Sequence, residues 1–158
     1  MADPSISPSG FFSLARDQAF FKTLFFSVDG GSDLGCVRTA EIMRFPKDGG
    51  CLFNHVWGKT LRDGASNVFG IRRHSNSQPC PVKAIETHMA VASELRITLS
   101  NGYLFRPTNQ QGHVLNKPLT SSSAEARFKI YLKDAKVDEG ETPAQLCYYS
   151  RVVWVPTG

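Results

Sequence analysis

The sequence predicts a mainly α domain with a small antiparallel β-sheet, an α+β fold. Three observations carry this. Behind Pro81, the residues Val82, Ile85, Met89, Ala92 and Leu95 recur at spacings of three and four, the period of a helix with one apolar face. Ser121 to Lys136 carries Ala126, Phe128, Ile130, Leu132 and Ala135, and Ser122 with Glu125 matches a capping box. Between the chain's first apolar run and Pro81, two extended segments, Leu52 to Trp57 and Val68 to Arg73, flank a stretch containing Gly58-Lys59-Thr60 and Asp63-Gly64. That is turn chemistry between two strands.

Taken in order, residues 1–10 hold two Pro, three Ser and one Gly and read as a flexible leader. From Phe11 to Phe26 the apolar positions, among them Phe12, Leu14, Ala15, Ala19, Phe20 and Leu24, suit an amphipathic helix. Asp29, Gly30 and Gly31 break it. Ser32 then stands as an N-cap for a short helix over about 33–39. Glu41 to Phe45 is a short alternating segment that stops at Pro46, and Lys47-Asp48-Gly49-Gly50 is a turn. With the two later strands it makes an antiparallel unit of two or three strands. Pro81 opens a helix at a position that tolerates Pro. Gly102 to Pro107 is an extended piece after a turn. Asp138 to Pro143 is a loop. The final segment, 144–158, is dense in Tyr, Val and Trp and holds one charge, Arg151. Its apolar run Val152-Val153-Trp154-Val155 is a potential self-association segment.

With 158 residues, 41% hydrophobic and 20% charged, the chain has the composition of one folded domain with a sizeable core. The formal charge of +4 permits contact with DNA or anionic lipid without requiring either. Residues 1–63 are balanced in charge, so the basic excess lies in 64–158. The start, MADPSISPSG, lacks the pattern of a secretory signal. The run Ala19 to Phe26 is too short to span a bilayer and contains Lys22. A nuclear or cytoplasmic protein is expected. The cysteines, Cys36, Cys51, Cys80 and Cys147, form no C-x-x-C pair, and no His pair has zinc-finger spacing. Free buried thiols are expected, with a zinc site assembled from distant parts as the alternative.

Several local motifs carry a resemblance. Phe25-Phe26-Ser27-Val28-Asp29-Gly30-Gly31-Ser32-Asp33-Leu34-Gly35 resembles the first active-site box of the tyrosine recombinases, in which an Arg is followed after two residues by an acidic residue and Leu. Phe53-Asn54-His55-Val56-Trp57-Gly58-Lys59-Thr60-Leu61-Arg62 resembles the sheet segment that carries the recombinase lysine. Leu132-Lys133-Asp134-Ala135 through Glu139-Gly140-Glu141-Thr142-Pro143 resembles the approach to the second box. Tyr103-Leu104-Phe105-Arg106-Pro107 and Cys80-Pro81-Val82 also fit. The chain thus resembles the recombinases of animal mobile elements, of the Crypton and DIRS kind, over roughly 19–143. After the leader at 1–10, the resemblance implies a partial recombinase-like catalytic domain at 11–143 and a tail outside the family at 144–158.

In that family a Tyr hydroxyl attacks a DNA phosphate, two Arg hold the non-bridging oxygens, and a sheet Lys protonates the leaving oxygen. No metal or other cofactor is implied. The sequence departs from this set. Gly30 stands where the first box has Arg, while Asp33 matches its acidic residue. Losing such a bidentate cation costs on the order of 3 kcal/mol of barrier, roughly a hundredfold in rate. Ala144-Gln145-Leu146-Cys147 stands where His-x-x-Arg belongs, and no His of the chain has Arg three residues on. Tyr148 and Tyr149 follow too soon to match the nucleophile.

Lys59 matches the recombinase lysine; its other reading is an exposed turn residue. Lys59, Arg62, Arg72, Arg73 and His74 are the candidate DNA-contacting residues, a basic ribbon able to track phosphates; a solvated face is the alternative. Arg127, Lys129, Lys133 and Lys136 read as a solvated helix surface. Trp57 and Trp154 read as packing residues. The expectation is a DNA recombination or integration protein, catalytically inactive, with residual DNA binding. Its partners would be the backbone of duplex DNA and, in a second reading, intact recombinase protomers bound without catalysis. A membrane and a small-molecule substrate are not expected. A third reading is an unstable fragment without function.

Overall fold

The computed structural model describes residues 7–27, 31–45, 49–56 and 67–135. The first helix, α1 (Pro8–Phe26), begins where Ser7 accepts a hydrogen bond from the Gly10 N–H at 3.2 Å and Pro8 fills a first-turn position. Both are favoured at a helix start. The helix therefore reaches three residues into the segment expected to be a leader. It buries Phe12, Ala19, Phe20 and Leu24 almost completely, together with Arg16, Asp17 and Thr23. A helix enclosed on most sides in this way is a central element, not a surface one. It ends at Ser27, whose N–H still reaches the Thr23 carbonyl at 2.9 Å.

The next helix is shorter than expected. It is a single turn, α2 (Gly31–Leu34), and Ser32 lies within it and is not its cap. The chain leaves the helix because extended pairing wins beyond it. The Leu104 N–H donates to the Val37 carbonyl at 3.0 Å, Thr39 donates to Gly102 at 2.9 Å, and Arg38 bridges Tyr103. Gly102 sits at φ +148°, and a Cβ there would overlap the Asn116 side-chain amide, so the turn requires glycine.

A 3-10 turn, Thr39–Glu41, leads into a three-stranded antiparallel sheet of β1 (Ile42–Phe45), β2 (Gly50–His55) and β3 (Asn67–Arg72) in the order β1-β2-β3. The hairpin strands lie one or two residues before their expected positions. Register places Ile42, Phe53 and Phe69 in one row and Cys51 opposite Ile71. These residues form the inner face, where the Phe53 and Phe69 rings stack at 4.8 Å. Met43, Leu52 and Gly70 form a row on the outer face, with Phe45, Gly50 and Arg72 in the next. Met43 and Val68 are each 57% exposed. The outer face is open to solvent.

The third helix, α3 (Pro81–Glu94), starts at Pro81 as expected, with the Cys80 sulfur accepting from the Lys83 N–H. It buries Val82, Ala84, Ile85, His88 and Ala92, while Met89 and Leu95 are only half-buried. Its end is a Schellman turn: Ile97 donates to the Ala92 carbonyl at 2.8 Å and Arg96 to Ser93 at 3.0 Å, with Arg96 at φ 58°.

The last helix, α4 (Ser121–Asp134), is capped by Thr120, whose hydroxyl accepts from the Ser123 N–H at 3.2 Å. The expected Ser122–Glu125 box is not used. The Leu119 N–H is tied to the Gly35 carbonyl, and Leu119 is buried; that anchor puts the cap at the following residue. The expected apolar stripe is also corrected. Ala126, Ile130 and Ala135 are exposed. The inward line is Ala124, Arg127, Phe128 and Tyr131, with Phe128 and Tyr131 against Phe21 at 5.3 and 6.4 Å. Phe12, Phe20, Leu34, Phe53, Ile85, Leu104 and Phe105 make one continuous core that joins helices and sheet. No described helix is long and apolar enough to cross a membrane.

Candidate nucleic-acid interface and the buried polar clusters

Among the candidate residues Gly30, Lys59 and Arg62 lie outside the described residues. Arg72, Arg73 and His74 are described, and they do not converge. A strand turns successive side chains to opposite faces. Arg72, opposite Gly50, lies exposed on the outer face. Arg73 follows on the inner side at the sheet margin, where its Nη1 meets Glu86 Oε1 of α3 at 2.7 Å. The guanidinium hydrogen bond holds the Glu86 carboxyl below its ordinary range. His74 belongs to the turn that follows: its N–H donates to the Cys80 sulfur at 3.2 Å, and its Nδ1 accepts from the Asn76 N–H at 3.0 Å. Of these three only Arg72 presents a charge with no ion pair among the described residues. The exposed Arg44 of β1 lies opposite Cys51 near the same margin as Arg73.

Asp33, matched to the acidic residue of the first box, is 5% exposed. Cys36 follows it. Burial, with the Asp33 and Glu41 carboxylates nearby, pushes that thiol up, which makes it a poor nucleophile. Cys36, Cys51 and Cys80 are free thiols. Among the described residues no group of three or more His, Cys, Asp and Glu could hold a metal ion.

Two polar clusters were not anticipated from the sequence. In the first, Glu41 Oε1 accepts from the Arg38 N–H at 2.8 Å, while Oε2 accepts from the Val56 N–H at 2.7 Å and meets His55 Nδ1 at 3.1 Å. His55 is fully buried, and its Nε2 has no partner among the described residues. The carboxylate fixes the imidazole at the end of β2, where the chain runs toward Lys59 and Arg62. No local spacing announces a contact between residues fourteen apart, one in the 3-10 turn before β1 and the other at the end of β2.

The second cluster lies in the interior. Asp17 Oδ1 accepts from Arg16 Nε at 3.0 Å and Nη2 at 2.7 Å; Oδ2 accepts from Arg127 Nε at 2.8 Å and the Tyr131 hydroxyl at 2.6 Å. Arg16 Nη1 donates to the Arg106 carbonyl at 2.9 Å. The Arg106 side chain donates to the Tyr103 and Leu99 carbonyls, and burial lowers its pKa. Burial, reinforced by Asp17, pushes the Tyr131 hydroxyl up to about 12. A carboxylate with four donors and guanidiniums directed at backbone carbonyls is an internal cross-link. Arg127, read from sequence as part of a solvated surface, belongs to it; Lys129 and Lys133 remain exposed. No protein-family model matches the chain and no curated protein matches it, so the functional reading rests on the chain's own residues and their geometry.

Proposed function

We propose that the chain is a non-catalytic DNA-contacting domain of tyrosine-recombinase descent. It would grip the phosphate backbone of duplex DNA through the sheet, using Arg72 together with Lys59 and Arg62 of the β2–β3 connection. The observation that carries this reading is the exposed Arg72 on the open sheet face. An arginine there can offer its planar guanidinium fork to two oxygens of a phosphate. The fold lends support, since helices together with a small three-stranded antiparallel sheet are what the sequence resemblance implies. Catalysis is not proposed, because the sequence has Gly30 in place of the first Arg and lacks the His-x-x-Arg box.

The test is a thermal melt followed by circular dichroism, with and without duplex DNA at low salt. An upward shift with DNA supports native-state binding, and a cooperative melt that DNA leaves unmoved overturns it. A nicked suicide duplex should give no covalent adduct.

A second reading rests on a different observation. Met43, Phe45, Leu52 and Val68 form an apolar outer sheet face with Met43, Phe45 and Val68 exposed, and such faces commonly meet other proteins. The partner would be an intact recombinase protomer. Co-purification without DNA at micromolar concentration supports this reading, and its failure removes it. Absence of any cooperative melt would sink both readings and leave an unstable fragment.

A further inference from the structure

A cavity of about 410 Å³ opens where β1 meets α3. All of β1 lines it, with Gly50 and Arg73 from the sheet margin and Val82 and Glu86 from α3. Among the described residues β1 pairs with β2 alone, so its second edge carries no neighbouring strand. An open edge is a row of backbone donors and acceptors that an extended chain can meet. Residues paired across strands share a face. Arg44, opposite the buried Cys51, therefore stands on the inner side, as Arg73 does. Arg73 is engaged, with its Nη1 on Glu86 at 2.7 Å. Arg44 is exposed and has no ion pair among the described residues. The Glu86 carboxyl is held below its ordinary range first by the Arg73 hydrogen bond, and it also feels the charges of Lys83 and Arg44. Positive charge is thus in excess around this described carboxylate. On the other face, Met43 and Phe45 flank Arg44 and are 57% and 38% exposed.

We propose that the open edge of β1 takes up an extended segment of a partner protein, with an Asp or Glu placed between two apolar residues. The segment's backbone pairs with β1. Its side chains alternate between faces, so the acidic one falls on the inner side beside Arg44, at the mouth of the cavity. Its apolar neighbours fall on the outer side, beside Met43 and Phe45. Charge decides the occupant. A second copy pairing through its own β1 would bring the two Arg44 side chains close together on so short a strand, and like charges across a sheet oppose pairing. The chain's own apolar run 152–155 carries no carboxylate and follows Arg151, so it offers Arg44 no counter-charge. Arg72 faces the opposite side of the sheet, and the site does not depend on the DNA contact proposed there.

The experiment is fluorescence anisotropy of the full chain with three labelled peptides: Thr-Thr-Val-Asp-Val-Thr-Thr, the same peptide with Asn for Asp, and the Asp peptide with Pro for both Val. The Asp peptide should saturate one site at submillimolar concentration. The Asn peptide keeps the shape and the backbone bonding, and should bind at least roughly threefold more weakly, the share of an opposite-charge pair across strands. The Pro peptide keeps the charge but cannot pair as a strand, and should not saturate. Amide hydrogen exchange within 42–45 should slow when the Asp peptide is bound. Arg44→Gln removes an exposed charge, so it should keep the wild-type Tm and bind the Asp and Asn peptides alike. Equal binding of those two peptides to the wild type overturns the proposal, a comparison that needs no variant. So does the absence of saturation by the Asp peptide, or saturation that leaves exchange within 42–45 unchanged. An Arg44→Gln protein that still prefers the Asp peptide overturns it as well; if that variant also loses affinity for duplex DNA, Arg44 is a phosphate contact instead. A wild-type chain that dimerises and protects 42–45 without peptide would give the edge to a second copy.

Discussion

Arg127 Nε donates to Asp17 Oδ2 at 2.8 Å, closing a contact between residues 110 apart in the chain. This bond and the 2.6 Å bond from the Tyr131 hydroxyl tie α4 to α1 through one buried carboxylate. Asp17 also neutralises Arg16, which is 3% exposed. The last described helix, whose only fully buried side chain is Ala124, is thus attached by these polar contacts as well as by the Phe128 and Tyr131 rings against Phe21.

Asp17→Asn should therefore destabilise the fold by about 3 kcal/mol or more, because it leaves the buried Arg16 uncompensated. Tyr131→Phe removes one hydrogen bond and should cost only about 1–2 kcal/mol. Urea unfolding checks both. An Asp17→Asn midpoint equal to the wild type would show that the carboxylate does not hold the helices together.

The His88 imidazole is fully buried beside Phe12 and Phe105, and its Nε2–H donates to the Leu104 carbonyl at 2.8 Å. Burial lowers its pKa from 6.5 to about 4. The folded state keeps the ring neutral while the unfolded chain protonates it. Its contribution is therefore fully present above about pH 6.5 and is lost as pH falls toward 4, by up to about 3 kcal/mol. In His88→Gln the amide can still meet Leu104, and the loss of stability across that window should be smaller. Urea midpoints at pH 7, 5.5 and 4.5 measure it; parallel pH profiles for the two proteins would refute the assignment.

How much of this was legible differs by element. Pro81 and the Val82–Ile85–Ala92 line gave away α3 because propensity, apolar period and burial agree there. The hairpin strands were readable from their turn residues, though offset. The α4 stripe was misread because its inward side carries Arg127 and Tyr131, whose polar tips bury only by reaching Asp17. The short helix after Gly31 was overestimated because Val37 and Arg38 pair with Leu104 and Tyr103, a contact with no local signature. The candidate basic ribbon named residues without their faces. Its separation into Arg72 outward and Arg73 against Glu86 follows from strand alternation and from where α3 lies.

Arg96 closes α3 at φ 58°, a left-handed conformation that glycine adopts without strain. The Schellman hydrogen bonds are made by backbone and would survive the change. Arg96→Gly should stabilise the protein by about 0.5–1 kcal/mol, a rise of a few degrees in Tm. A fall in Tm would mean that the Arg96 side chain contributes more than the backbone strain costs.

Arg72 and Arg73 are adjacent in sequence but differ in what they touch, and their substitutions should separate. Arg72→Ala removes an exposed charge with no ion pair among the described residues, so Tm should change little while DNA affinity falls. If Arg72 contacts one phosphate, the slope of log K against log salt should decrease in magnitude by about one. Arg73→Ala breaks the pair with Glu86 and leaves the outer face intact. Its effect should appear in stability, confined to pH values at which Glu86 is ionised, because a depressed carboxyl contributes above its unfolded pKa and loses that contribution as pH falls. Fluorescence anisotropy on labelled duplex between low and moderate salt, paired with thermal melts, reads both effects. If Arg73→Ala weakens DNA binding as much as Arg72→Ala without lowering Tm, the phosphate contact lies at the sheet margin beside α3 and not on the outer face.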